Sequence, residues 1–325
     1  MCDTAIVNSN QLRVAVVGHV EWVRFARVPH VPHAGEVLHA HDPFEEPAGG
    51  GAVAAVQLAR LAGEAMLVTA LGEDEHGARS IARLEELGVR VRAAKRTVPT
   101  RTAVTLVDDA RERTIVTFGS RLEPTIDDAE IPWDELAEMD AVYFTAGDVG
   151  ALRAARAARV LVSSPRALDA LTHGVRLDAL VLSGDDADER REAVRAREDA
   201  RLVVSTEGAR GGSYTGRDGS SGRWEGVVPP AAPGEAKERE RSGESSRVGE
   251  RDESGDLAKS GEEGDSYGCG DSFAAGLTYA LGEGLAIGDA LALAARCGAV
   301  CLTGRGPYRR QLTGAELTDA TAHVR

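Results

Sequence analysis

The sequence predicts a doubly wound α/β fold: a mainly parallel sheet with helices on both faces, plus a small separate β-sheet. Three observations point there. Short apolar runs alternate with helical stretches, the pattern of βαβ units whose sheet is buried on both faces. More polar segments between residues 20 and 118 alternate in the manner of half-exposed strands. The 325 residues, 42% hydrophobic, suffice to bury a sizeable core.

The elements follow in order. Leu12–Gly18 (LRVAVVG) reads as a buried first strand. Val20–Phe25 and Glu36–His41 are more polar and are assigned to the small sheet. Gly51–Leu61 carries small apolar residues at helical spacing, and Gly63 follows as its C-cap. Ala65–Leu71 is a strand, and His76–Leu87 an amphipathic helix with Gly88 just beyond it. Thr102–Val107 and Thr114–Phe118 flank Asp108–Arg113 as a hairpin. Asp140–Thr145, Val160–Ser163, Ala179–Ser183 and Leu202–Ser205 are short apolar strands. Helices such as Gly150–Ala158 and Asp186–Arg197 separate them, and a further strand ends near Val228. Ser272–Leu281 and Ile287–Cys301 complete the helical layer, and 309–325 form a C-terminal helix or tail.

One segment breaks the pattern. Ala231–Gly264 has ten acidic and six basic residues, no aromatics, and only Val248 and Leu257 as large aliphatic side chains. It cannot bury enough apolar surface to offset its ordering entropy and is expected to be disordered. It is either a linker or an insertion.

The net charge of −14 argues against broad nucleic-acid or anionic-membrane binding. Cys2, Cys269, Cys297 and Cys301 show no framework spacing and read as free thiols of a reducing cytoplasm. With no signal-like start and no apolar run long enough for a bilayer, a cytoplasmic protein is expected.

The chemistry concentrates in Gly264–Gly276, GDSYGCGDSFAAG. Gly268 and Gly270 permit a sharp turn that exposes consecutive N–H groups, and a helix beginning near Ser272 adds its own. Together they suit a phosphate. A carboxylate beside that site would repel phosphate, so Asp271 reads better as the group that takes a proton from an attacking hydroxyl. The plainer reading is a Gly-rich turn with Asp271 as an ordinary N-cap. Asp265 orders the loop or binds a cation.

Asp265-x-x-Gly268-x-Gly270-Asp271, followed by a small-residue helix, resembles the signature of ribokinase-like (PfkB-type) carbohydrate kinases. Other stretches agree in order: PAGGGAVAAVQLARLAG with Gly49 and Gly50, TALGEDEHG with Gly72, Asp74 and Gly77, VVSTEGARGG, and RCGAVCLTGRGP. The resemblance covers 12–308 as one kinase domain, with a β lid from segments near 20–41 and 101–118, and makes 231–264 an insertion. It implies that Asp271 is the catalytic base and that Gly268, Cys269 and Gly270 form the anion hole. It places Thr206, Gly208 and Gly298 on the nucleotide side, and Gly49 and Gly50 on the acceptor side. ATP and Mg²⁺ are the implied cofactors. Asp186 (with Asp185 as the alternative) is the magnesium-side candidate, and a monovalent cation near Asp265 is a further implication. Lids of this family often mediate dimers, which suggests a homodimer here.

The sequence also departs from the family. In GHVEWV, Glu21 and Val23 stand where the family has Asn and Asp; Gly51 and Ala54 replace a Lys and an Asn. The missing hydroxyl contacts make ribose doubtful and imply another acceptor. His19, Glu21, Arg101 and Asp148 are the replacement candidates. Two function classes stand: an ATP-dependent kinase of a sugar, sugar derivative or nucleoside, and a non-catalytic nucleotide or sugar sensor. Gly49–Ala54 also fits a dinucleotide fingerprint, but the preceding HDPFEEPA does not read as a buried strand. Arg305, between two glycines, touches phosphate or acceptor, or caps a helix. His30, His33, His39 and His41 gather in the lid region; His39 and His41 would share one strand face, but without a third ligand they read as surface histidines.

Overall fold

The computed structural model describes residues 11–228 and 264–317. The expected disordered segment falls outside the described residues, apart from Gly264, as do Cys2 and the end of the tail.

Among the described residues the main sheet has nine strands in the order β13-β12-β11-β10-β9-β8-β1-β4-β5. The central strands are β1 (Val14–Val17), β4 (Ala65–Gly72), β8 (Ala141–Phe144), β9 (Val160–Ser163) and β10 (Leu177–Ser183). Every pairing from β5 (Val89–Arg96) to β11 (Ala200–Thr206) is parallel. The strands β12 (Gly212–Gly216) and β13 (Ser221–Trp224) add an antiparallel edge.

Alternation along β1 shows the double winding. Val14 and Val16 face a core shared with α1 (Gly50–Ala62), α6 (Cys269–Gly282) and α7 (Ile287–Leu302). Ala15 and Val17 face a second core with α3 (Val149–Ala155), α4 (Leu168–Leu171) and α5 (Ala187–Ala196). Helix α2 (Glu75–Glu86) covers the β5 end and is capped by Asp74, which accepts from the Gly77 amide.

The small sheet runs β3-β2-β6-β7. Here β2 (Glu21–Arg27) pairs in parallel with β6 (Thr102–Val107), while β3 (His41–Ala48) and β7 (Arg113–Phe118) flank them antiparallel. This lid departs from the sequence reading at one strand. Glu36–His41 is not a strand, and the strand is His41–Ala48. Pro43 and Pro47 disguised it; both are tolerated because β3 is an edge strand. It leads into α1, as a dinucleotide fold would require, but belongs to the lid sheet and is exposed over its first half. The strand β5, unassigned from the sequence, is masked by Arg90, Arg92, Lys95 and Arg96.

The carboxyl ends of β1, β8, β9, β10 and β11 lie along one edge of the sheet, where open α/β folds bind ligands. No helix among the described residues is long and apolar enough to cross a membrane.

Candidate active site

The helix α6 begins at Cys269, three residues before the sequence reading placed it. Gly268 is its N-cap, in the left-handed region at φ 79°. A Cβ there would also meet Val53 Cγ1 at 2.8 Å, so only glycine fits. The first intrahelical bond runs from the Ser272 amide to the Gly268 carbonyl at 2.8 Å. The amides of Cys269, Gly270 and Asp271 therefore have no helical acceptor, and the helix dipole favours negative charge beside them. A Cβ on Gly270 would find nothing within 4 Å, so the space over these amides is open. This cradle fits a phosphate.

Asp271 lies in the first turn of α6 but is not its N-cap, which sets aside the plainer reading of this residue. Its side chain is 14% exposed, with Oδ1 3.5 Å from Arg166 Nη1. A Cβ on Gly50 would stand 2.9 Å from the same Oδ1. Glycine at the start of α1 thus leaves room beside the carboxylate.

The acceptor-side candidates gather around this point. His19, on the turn leaving β1, is buried, and its Nδ1 has no hydrogen-bond partner among the described residues. Burial, then the charges of Arg121, Arg166 and Arg101, hold its pKa well below the usual value, which favours the neutral ring. A Cβ on Gly49 would come within 3.0 Å of the His19 ring, and the Gly49 amide donates to the Tyr267 hydroxyl at 3.4 Å. Glu21, the first residue of β2, is also buried; burial raises its carboxyl pKa, and Arg101, with Nε 3.4 Å from Oε2, opposes the rise. Beneath them, the Thr145 and Ser164 hydroxyls share a hydrogen bond at 3.3 Å. Burial and the charge of Asp271 push the Tyr143 phenol up to about 12.

Three further residues were not found from the sequence. Arg166, on the turn after β9, bridges Asp271 and Glu189, with its Nε 3.3 Å from Glu189 Oε1. Arg121 donates to the Arg166 carbonyl at 3.0 Å and pairs with Glu123. Glu189 had a local signal, since Asp186-x-x-Glu189 has capping-box spacing. Its carboxylate instead accepts from the Ser183 amide at 2.7 Å.

Asp186 caps α5, accepting from the Asp188 and Glu189 amides through Oδ1. Its Oδ2 makes no hydrogen bond among the described residues, and Mg²⁺, which keeps most of its waters, needs few carboxylate oxygens. Asp185 pairs with Arg210. Asp265 is buried. Its Oδ1 accepts from the Tyr267 amide at 2.9 Å and Oδ2 from the Gly306 amide at 2.7 Å, lacing the motif to the 304–306 turn. Burial raises its pKa. Thr206 ends β11, with its hydroxyl 3.3 Å from the Leu182 carbonyl, and Gly208 follows at φ 57° with open space around it. Gly298, on α7, faces the Cys269 carbonyl, which a Cβ would approach to 3.3 Å.

Other candidates have structural duties. Asp148 caps α3 and also accepts from the Ile126 amide. Arg305 clasps the Asp42 carbonyl and lies over the Phe44 ring at 4.7 Å, holding strand β3. Hydrogen bonding with Cys301 and burial raise the Cys269 thiol well above its usual pKa, which suits a space-filling residue rather than a nucleophile.

The model of the pfkB family of carbohydrate kinases matches residues 11–170 and 250–313, more than half of the chain. No curated protein matches the sequence. Solved structures match over nearly the whole length. Ribokinase from Thermotoga maritima superposes with a TM-score of 0.69 at 18% identity, covering 96% of this chain and 99% of that one. Phosphofructokinase-2 from Escherichia coli, solved with substrates and products, gives 0.65 at 16% identity, covering 96% and 99%. Arabidopsis thaliana ribokinase, complexed with ribose and ATP, gives 0.64 at 17% identity, covering 91% and 94%. At such identities the likeness is one of fold.

Proposed function

Because the chain belongs to the pfkB family of carbohydrate kinases, we propose that it moves the γ-phosphoryl group of ATP to a hydroxyl of a sugar, sugar derivative or nucleoside. The observation that carries this reading is Asp271 beside an open row of unpaired amides at the start of α6. Asp271 takes the acceptor hydroxyl's proton as the new O–P bond forms and the bond to the ADP oxygen breaks. The amides of Cys269, Gly270 and Asp271 stabilise charge on the transferred group. ATP supplies that group when bound. Thr206, Gly208 and Gly298 would hold the nucleotide in this reading, and Asp186 would help to hold a hydrated Mg²⁺, which would supply charge neutralisation to the phosphates.

Within this class the pocket favours an acceptor with a carboxylate or phosphate of its own. Three guanidinium charges, Arg121, Arg166 and Arg101, bear on His19. Arg101 meets Glu21 through Nε, and its Nη groups have no hydrogen bond among the described residues. Val23 and Ala54 cannot bond sugar hydroxyls, whereas guanidinium groups recognise acidic ones bidentately.

An ATP-turnover screen across neutral sugars, sugar acids, sugar phosphates and nucleosides tests the proposal. Phosphorylation of one class, lost in Asp271→Asn, is expected. Tight nucleotide binding with no turnover on the whole panel would favour the sensor reading instead.

We also propose a homodimer through the lid. Strand β7 is an edge strand exposed along its length, and it presents Ile115, Val116 and Phe118 to solvent.

A further inference from the structure

We propose that the loop joining β2 to β3 binds a divalent transition-metal ion of the Zn²⁺ class through His30, His33 and Glu36. One ligand atom from each of the three lies within 4.8 Å of the others. The two imidazole rings stack with centroids 5.3 Å apart.

The hydrogen bonds around them are those of an oriented ligand set. His30 Nδ1 is 3.1 Å from the Val31 carbonyl, which can only accept. Nδ1 therefore donates, which leaves Nε2 as the ring nitrogen available to a metal ion. A ring nitrogen bonded to a backbone carbonyl is the usual support for the opposite nitrogen as a metal ligand. That Nε2 faces Glu36 Oε1 at 3.4 Å. A positive centre between this nitrogen and the carboxylate oxygen is favourable, and a metal ion held by both supplies it. The other Glu36 oxygen, Oε2, accepts from the His33 amide at 3.0 Å, and the Glu36 amide donates to the His33 carbonyl at 3.1 Å. The carboxylate is thus fixed against His33 by backbone contacts that bound metal would leave intact, with Oε1 turned toward His30.

Two imidazoles and one carboxylate suit Zn²⁺, Ni²⁺ or Cu²⁺, whereas Mg²⁺ and Ca²⁺ prefer oxygen ligands alone. All three side chains are exposed, so water completes the coordination. The spacing His-x-x-His-x-x-Glu confines the site to one loop. That loop begins where Val28 donates to the Val107 carbonyl and Asp109 donates to the Pro29 carbonyl. A bound ion would therefore fasten the outer loop of the lid next to the β6–β7 hairpin. The third ligand that the histidine cluster lacked in the sequence reading is Glu36, and its partners are His30 and His33 rather than His39 and His41.

The test is metal binding by the full-length, tag-free, metal-stripped protein. Co²⁺ is titrated while its visible ligand-field absorption is followed, and Zn²⁺ is titrated against a chromophoric chelator, both with excess Mg²⁺. One equivalent is expected for the wild type. His33→Ala and Glu36→Gln should each weaken binding by at least about tenfold, with unchanged circular dichroism, and His39→Ala should bind as the wild type does. No stoichiometric uptake by the wild type would overturn the proposal. Undiminished uptake by a His30→Ala/His33→Ala double variant would also overturn it, placing the ion elsewhere.

Discussion

One guanidinium joins three segments of the candidate site: Arg166 reaches Asp271 Oδ1 through Nη1 at 3.5 Å and Glu189 Oε1 through Nε at 3.3 Å. The residue assigned as base is thereby tied to the turn after β9 and to the start of α5.

If Asp271 accepts the hydroxyl proton, its amide replacement removes the chemistry and little else. Asp271→Asn should lower kcat by about a hundredfold or more while ATP affinity stays within a few fold. Steady-state kinetics with calorimetric nucleotide binding checks both; near-normal turnover would reject the role.

Arg166→Met and Arg101→Met should separate acceptor classes. A charge-assisted hydrogen bond contributes about 1.5–3 kcal/mol, so KM for an acidic acceptor should rise roughly ten- to a hundredfold. A neutral acceptor should respond far less. Equal losses on both would argue against an acidic group in the pocket.

The two glycines of the motif should fail differently. Gly268→Ala forces a Cβ into the left-handed region, at about 1–2 kcal/mol, and against Val53, so its melting temperature should fall. Gly270→Ala meets no neighbour and should melt like the wild type. If the proposed phosphate site lies over these amides, the added methyl group would crowd it, and kcat/KM for ATP should drop about tenfold or more. Thermal melts and kinetics on the pair distinguish folding from phosphate handling.

Glu21 links pH to stability. Burial raises its folded-state pKa above the unfolded value of about 4.3. The folded protein therefore binds the proton more tightly, and the wild type loses stability as pH rises from that value through the raised one. Glu21→Gln removes this loss. Its melting temperature relative to wild type should be more favourable near about pH 8 than near about pH 4. A difference independent of pH would show that Arg101 fully compensates the buried charge.

The lid edge has its own test. Wild-type protein should sediment as a dimer, and Phe118→Asp, which places a charge on the exposed β7 strand, should yield monomer. A monomeric wild type would remove this interface.

The sequence exposed much of this architecture because its signals are local. Apolar runs such as VAVV and AVYF, short and rich in β-branched or aromatic residues, read as buried strands, and the glycines before Asp271 announce a sharp turn at a helix start. The parts it hid are those that depend on distant partners. His41–Ala48 is a strand only because β2 pairs with it from one side, leaving its prolines at the edge. The strand β5 reads as a charged stretch until β4 covers it. Arg166 lies 105 positions from Asp271, and nothing in SSPRA marks it as a neighbour of the base. Glu36 escaped notice because a strand was expected where the chain makes a turn.

His19 and Glu21 sit on the short stretch that carries β1 into β2, and the Trp22 amide donates to the Arg101 carbonyl at the foot of β6. The side chains that would meet the acceptor are thus built into the connection between the main sheet and the small one. Any swing of the small sheet would move them, and any molecule gripping them would steady it. If the proposed kinase draws this sheet over its acceptor, selection and closure would be coupled, because a compound that does not engage His19 and Glu21 would leave the small sheet without its anchor on the substrate.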